Sequence, residues 1–153
     1  MQLPQDFKEF IELMIAGSVR FVMIGGYAYN LYRNPRATGD IDFLVELSDL
    51  NEARLRKVLE QFGFGSTLPA ENQPILRPGK IIMLGRAPFR IDILTQIDGV
   101  SFEQIDRTKQ TFVVDGLAIP VISPQMLLKN KQSTGRAKDQ ADVEELRAWM
   151  DGL

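Results

Sequence analysis

The sequence contains no cysteine and no histidine. Their absence excludes disulfides, iron-sulfur ligation and zinc centres built on thiolate or imidazole, and with them Ser-His-Asp and Cys-His nucleophile systems and imidazole acid-base catalysis. No apolar run approaches the roughly 18 residues that a membrane span requires. The opening MQLPQDFKEF shows no basic segment leading into an apolar one. A cytoplasmic protein with no membrane partner is therefore the expectation. Nor is one sign of charge in excess: 18 basic and 20 acidic residues leave a net charge of -2, so no global positive field draws the chain to nucleic acid or to an anionic surface. Chemistry here must run on carboxylates, Lys, Arg, Tyr, hydroxyls and backbone dipoles. Any metal it uses is a hard ion held by oxygen, Mg²⁺ or Mn²⁺ rather than Zn²⁺.

What is present fits one core: 153 residues, 44% hydrophobic and 25% charged, form a single expected domain over 1–153. Phe7, Phe10, Ile11, Met14 and Ile15 keep helical spacing up to Gly17, with Asp6 and Glu9 as a capping pair. Residues 20–24 (RFVMI) read as a buried strand that ends at Gly25-Gly26, followed by a short helix over 27–33 that Asn34-Pro35 breaks. Residues 41–47 (IDFLVEL) predict a second strand with Asp40 just ahead of it. Ser48 or Asp49 then caps a helix carrying Leu55, Val58, Leu59 and Phe62 as far as Gly63. Residues 66–78 read as an irregular loop, 80–84 and 89–94 as two strands around a turn, and 111–122 as a hairpin turning at Asp115-Gly116. Ser123-Pro124 opens a helix to about Lys131, and Gly135 separates it from a last helix with Val143, Leu146 and Met150. The fold class is α+β: a mixed sheet with helices packed against it and a short C-terminal helical segment.

Two features of this layout carry chemistry. The Gly25-Gly26 pair, between a strand and a helix, either makes a tight turn or offers backbone N–H groups to a phosphate; it fits neither the dinucleotide-binding nor the phosphate-loop glycine pattern. In G-D-I-D-F, Asp40 and Asp42 share one strand face while Ile41 and Phe43 point to the core. Two carboxylates so placed repel, and a divalent cation relieves that cost. Asp92, in F-R-I-D-I-L, lies on the face of Arg90 and Leu94 amid an apolar strand, so it needs an arginine partner, a solvated face or a cation.

The run F-V-M-I-G-G-Y-A-Y-N-L-Y-R-N-P-R-A-T-G-D-I-D-F-L-V, followed later by R-I-D-I-L, resembles the polymerase-beta-like nucleotidyltransferase superfamily. Its Arg36-x-Thr38-x-Asp40-x-Asp42 form is most similar to small bacterial nucleotidyltransferases, among them toxin components and antibiotic-modifying enzymes. L-L-K-N-K-Q-S-T-G-R-A-K-D-Q-A-D-V-E-E-L is similar to that group's C-terminal helical segment. The resemblance implies a catalytic core of about 18–122 with C-terminal helices over 123–152, and an enzyme that moves a nucleoside monophosphate from an NTP, such as ATP, to an acceptor hydroxyl with Mg²⁺ or Mn²⁺. It implies Asp40, Asp42 and Asp92 as metal ligands and catalytic groups, Asp92 also as proton acceptor, and Gly25, Gly26, Arg36, Thr38, Lys131 and Arg136 as nucleotide contacts. RNA such as tRNA, protein and small molecules remain open as acceptors, and a cognate antitoxin or a second copy as partner.

Several side chains carry competing readings. Lys138 is spaced to pair with Asp142 at i, i+4, and Tyr27 with Tyr32 either stacks on a base or packs the helix to the sheet. Arg33, Arg36, Lys129, Lys131, Arg136 and Lys138 together would make a basic rim. An aspartyl phosphatase fits less well, because there an apolar strand precedes the Asp pair, whereas here F-L-V follows Asp42. The alternative function is a catalytically silent member of the same fold that binds nucleotide, nucleic acid or protein.

Overall fold

The computed structural model describes residues 2–33 and 37–153. Phe7, Phe10, Ile11 and Met14 form the buried stripe of α1 (Gln5–Ala16), while Ile15, at the margin of that stripe, is exposed. Asp6 and Glu9 do not cap this helix. It starts one residue earlier, behind Pro4 with φ -53°, and no side chain accepts a bond from its first turn.

β1 (Phe21–Ile24) is buried along its whole length, and α2 (Gly25–Tyr32) begins at the first glycine rather than at Tyr27. β2 (Ile41–Val45) follows, then α3 (Asp49–Leu59), whose N-cap Ser48 accepts from Asn51 N. A wide helical turn, Glu60–Phe64, leads from α3 towards the irregular segment. That segment is pinned, because the carboxylate of Glu52 on α3 accepts bonds from the backbone N–H groups of Ile75 and Leu76. β3 (Ile81–Arg86) and β4 (Phe89–Leu94) form a hairpin, as do β5 (Gln110–Val114) and β6 (Leu117–Val121) around Asp115-Gly116. Between them lies α4 (Phe102–Thr108), which the apolar periodicity alone does not predict. Its signal is the capping box Ser101-x-x-Gln104, with Phe102 and Ile105 as its buried side. α5 (Pro124–Thr134), capped by Ser123, and α6 (Ala137–Asp151) complete the described elements.

The six strands make one mixed sheet in the order β3-β4-β2-β1-β6-β5. β1 runs antiparallel to β2, whereas β2 with β4 and β1 with β6 are parallel. This is the expected α+β architecture. Phe43 on β2 meets Phe10 of α1 and Phe21 of β1, with ring centroids 6.0 and 5.6 Å apart, so the core lies on the side of Ile41 and Phe43. The intervening Asp42 therefore faces away from α1.

β2 stops at Val45, two residues short of expectation, and Leu47 is exposed. The cause is Asn51, buried to 1% exposure, whose side chain takes over the backbone pairing at this strand end. Its Oδ1 accepts from Arg20 N at 2.8 Å, and its Nδ2 donates to Arg20 O and Glu46 O. Asn51→Ala leaves Arg20 N and Glu46 O without these partners, while Arg20 O keeps its bond from Glu46 N, so it should lower unfolding free energy by about 1–2 kcal/mol. Urea denaturation with an unchanged m-value checks this, and a loss below about 0.5 kcal/mol contradicts it.

Candidate active site

The parallel register of β2 and β4 sets Asp42 directly beside Asp92, with Ile41 beside Ile91 and Phe43 beside Ile93. Alternation then sends both carboxylates to one face, and Asp40, just before β2, joins them. On the other flank Asp42 is opposite Ile24, the last residue of β1, so the turn into α2 passes over its carboxylate. Gly25 sits there with φ +70°, and a Cβ at this position would fall on Asp42 Oδ2. Only glycine combines that left-handed backbone with so close an approach. A Cβ on Gly26 would stand 2.9 Å from Thr38 Oγ1, and one on Gly39 would fall on the carbonyl oxygen of Pro88, which locks the β2 approach against the β3–β4 turn.

The charges are not balanced evenly. Arg90 donates from Nε to Asp92 Oδ1 at 2.7 Å, and from one terminal nitrogen to Asp92 Oδ2 and Asp40 Oδ2 at 3.0 Å each. Asp42 is pushed up to about 7, first by burial, then by the charge of Asp92 and a hydrogen bond shared with it, then by the charge of Asp40, with Arg90 opposing. Among the described residues no three acidic side chains stand together as a preformed metal cluster. The donors are nevertheless all hard carboxylate oxygens with too little positive charge among them, which is the donor set a Mg²⁺ or Mn²⁺ ion requires.

An open cleft of about 680 Å³ collects Gly25, Gly26, Thr38, Asp40, Asp42, Asp92, Lys131 and Arg136, residues that lie far apart in sequence. Arg36 lies outside the described residues. Arg90, Lys138 and Asp139 line the same cleft. The far wall comes from α5 and α6, held together by a buried ionic knot. Lys131 Nζ donates to Asp142 Oδ2 at 2.9 Å and to Asp139 Oδ1 at 3.4 Å, and stands 5.6 Å from the ring centre of Tyr29. Asp139 also accepts from Thr134 Oγ1 and Arg136 Nε. Burial alone would raise the Asp139 pKa, but the bonds from Thr134 and Arg136 and the charge of Lys131 outweigh it and hold the group below its ordinary value.

Three expectations change in this setting. Asp142, placed by spacing opposite Lys138, takes the bond from buried Lys131, and Lys138 lines the cleft. The basic rim loses two of its members to internal pairing: Lys131 is 8% exposed, and Arg33 pairs with Glu145 at 3.4 Å over the ring of Trp149. Tyr27 and Tyr32 pack rather than offer a face for stacking: Tyr27 meets Phe7 edge-on, and Tyr32 donates to Ile122 O while meeting Phe112. Gly39 and Pro88 had no sequence signal beyond their turn propensity, whereas Arg90 was visible as the residue two before Asp92 on the same strand face.

The raised Asp42 value has a definite sign for stability. In the unfolded chain the group ionises near the ordinary carboxylate value of 3.8, while the folded protein keeps it protonated until about 7, so stability falls across that interval and stays low above it. In metal-free buffer Asp42→Asn should match the wild type near pH 4 and exceed it by about 1–3 kcal/mol at pH 8, allowing for solvent screening in the open cleft. Thermal or urea unfolding at the two pH values measures the difference, and an equal gap at both contradicts it.

No curated protein matches the sequence at a significant level. Solved structures of the same fold include a candidate nucleotidyltransferase from Thermotoga maritima, 16% identical, covering 96% of this chain and 91% of that one with a TM-score of 0.58. An antigenic nucleotidyltransferase-like protein from Paracoccidioides brasiliensis is 16% identical over 92% of this chain and 72% of its own, TM-score 0.53. The lincosamide antibiotic adenylyltransferase LnuA, solved with lincomycin bound, is 13% identical over 95% of this chain and 97% of its own, TM-score 0.57. These likenesses establish a shared nucleotidyltransferase-like fold. The sequence model of the family described as nucleotidyl transferase of unknown function (DUF2204) matches residues 5–152, nearly the whole chain, and the protein belongs to that family.

Proposed function

We propose that the protein is a divalent-cation-dependent nucleotidyltransferase that moves a nucleoside monophosphate from an NTP to an acceptor hydroxyl. The observation that carries this reading is the side-by-side register of Asp42 and Asp92 beneath the Gly25 turn, in a cleft walled by Arg136 and Lys138. In the reaction the acceptor oxygen bonds to the α-phosphorus, the bond from that phosphorus to the β-phosphate oxygen breaks, and pyrophosphate leaves. Asp40, Asp42 and Asp92 would hold Mg²⁺ or Mn²⁺, which when bound supplies positive charge to the phosphoryl oxygens and lowers the pKa of the attacking hydroxyl. The backbone at Gly25 and Gly26 gives the triphosphate close access to the start of α2, where N–H groups lack helical partners. Arg136 and Lys138 face the anionic leaving group, Thr38 lies beside Gly26, and Arg36 precedes Thr38 by two residues. Asp92 takes the hydroxyl proton. Lys131, buried and doubly paired, keeps α5 and α6 in place behind these groups.

A second cleft of about 410 Å³ shares Gly25, Asp42, Asp92 and Arg136 with the first and continues past Ile81, Leu94, Gln96 and Asn130. An acceptor standing there would reach the same carboxylates from the side opposite the nucleotide. Its size suits a small hydroxylated molecule or the terminal unit of a larger one, and the likeness to an enzyme that adenylylates a lincosamide supports the small-molecule reading. Transfer to cellular RNA or to a protein would instead speak for a toxin-antitoxin role.

The direct test is transfer of label from each of the four NTPs, with Mg²⁺ or Mn²⁺, to small hydroxylated acceptors, total RNA and cell protein. Wild type should label at least one acceptor, and Asp92→Asn should reduce the rate by at least about a hundredfold, the scale of losing a catalytic acid-base group. If no label moves and neither NTP nor metal raises the melting temperature, the catalytically silent binding module is the correct reading. Gly25→Ala should cost both stability and nucleotide affinity. Gly116→Ala, at φ +79° with open space around it, should cost only about 1 kcal/mol of backbone strain and leave nucleotide affinity unchanged. Equal nucleotide affinity in the Gly25 variant and the wild type would remove the glycine turn from the site.

A further inference from the structure

Arg90 is bonded to both oxygens of Asp92 and to one of Asp40, the same carboxylates that the nucleotidyl-transfer reading assigns to the cation. An arginine cannot yield these oxygens by losing a proton, because its charge is fixed at any pH the fold survives. They are released only by exchange for another cation. The site permits that exchange physically. The Arg90 side chain is 34% exposed, it comes from a strand whose backbone pairing does not depend on the ion pairs, and its cross-strand neighbour is Gly85, which has no side chain to block a swing. Three carboxylates, Asp40, Asp42 and Asp92, also line the cleft around this one guanidinium, which leaves negative charge uncompensated. A divalent ion is therefore the stronger competitor once it is present.

We propose, resting on the reading above, that Arg90 is an internal counter-cation: it holds Asp40 and Asp92 in the metal-free protein, is displaced when a divalent cation takes their oxygens, and then meets the nucleotide phosphates. The last step follows from its place, because Arg90 lines the same cleft as Gly25, Gly26 and Lys138. Guanidinium pairs with phosphate oxygens in the same forked geometry it uses for carboxylates. Nucleotide and cation thus cooperate through one side chain, the cation freeing the group that the triphosphate then engages.

Binding of Mn²⁺ alone, followed by calorimetry and by the electron-spin signal of free Mn²⁺, tests this on wild type, Arg90→Gln, Arg90→Lys and Asp42→Asn. Removing a competitor that holds the site nine-tenths of the time tightens binding about tenfold, so Arg90→Gln should bind Mn²⁺ at least that much more tightly than wild type, with Arg90→Lys between them. Without metal Arg90→Gln should melt below wild type, and saturating Mn²⁺ should close the gap, a rescue that a purely structural arginine would not show. With Mn²⁺ saturating, its affinity for a non-hydrolysable NTP analogue should be weaker than wild type. Unchanged or weaker Mn²⁺ binding in Arg90→Gln, with wild type binding well, overturns the counter-cation role and leaves nucleotidyl transfer standing. Tighter Mn²⁺ binding with unchanged analogue affinity overturns the phosphate contact. If neither wild type nor any variant binds Mn²⁺, nucleotidyl transfer itself falls, and the counter-cation with it.

Discussion

The mutual repulsion of Asp40, Asp42 and Asp92 is the constraint around which this molecule is arranged. A parallel pairing of two strands would ordinarily bury apolar side chains on both faces, yet here it brings two carboxylates together at adjacent positions. The neighbours each answer that cost in part. Arg90 bridges Asp40 and Asp92, Asp42 keeps its proton to about 7, and the turn over Asp42 is made of glycine because nothing larger fits. Carboxylates placed this close weaken the fold that holds them.

The other half of the cleft depends on a different balance. Lys131 is buried between Asp139 and Asp142 and beside the face of Tyr29, so its charge is consumed internally. Removing either carboxylate would leave part of a buried charge unmatched, so the α5–α6 corner depends on all three groups together. From that corner Arg136 reaches Asp139 with its Nε while its side chain stays 58% exposed, and Lys138 follows in the first turn of α6. The cationic wall of the cleft is thus fixed by an ion-pair network that itself lies behind the surface.

Much of this was legible in the residues. The alternation of Asp40, Ile41, Asp42 and Phe43 defined a strand with a polar and an apolar face, and Arg90 and Asp92 repeated it on a second strand. Glycine pairs, Ser-Pro and Asp-Gly marked the ends of elements where backbone geometry leaves few alternatives. The failures have physical causes. Asp6 and Glu9 have the spacing of a cap, but Pro4 starts the helix before them. The short α4 has too few turns for a periodic signal, and Asn51 ends β2 from another element by taking its backbone partners. Lys138 and Asp142 satisfy a local pairing rule, yet a buried lysine eleven positions before Asp142 supplies a bond that no local rule contains.

The sequence by itself determined the chemistry available: no imidazole and no thiolate, two strand-borne carboxylates with a third just ahead of its strand, and a glycine turn, all of which follow from residue type and from spacing along one element. Which carboxylates meet, which cation stands between them and which lysine is spent inside the fold were decided only by tertiary structure. Strand register, helix docking and burial bring together residues dozens of positions apart, and the energy of a charge depends on what lies within a few Å of it in space, not on its neighbours in the chain.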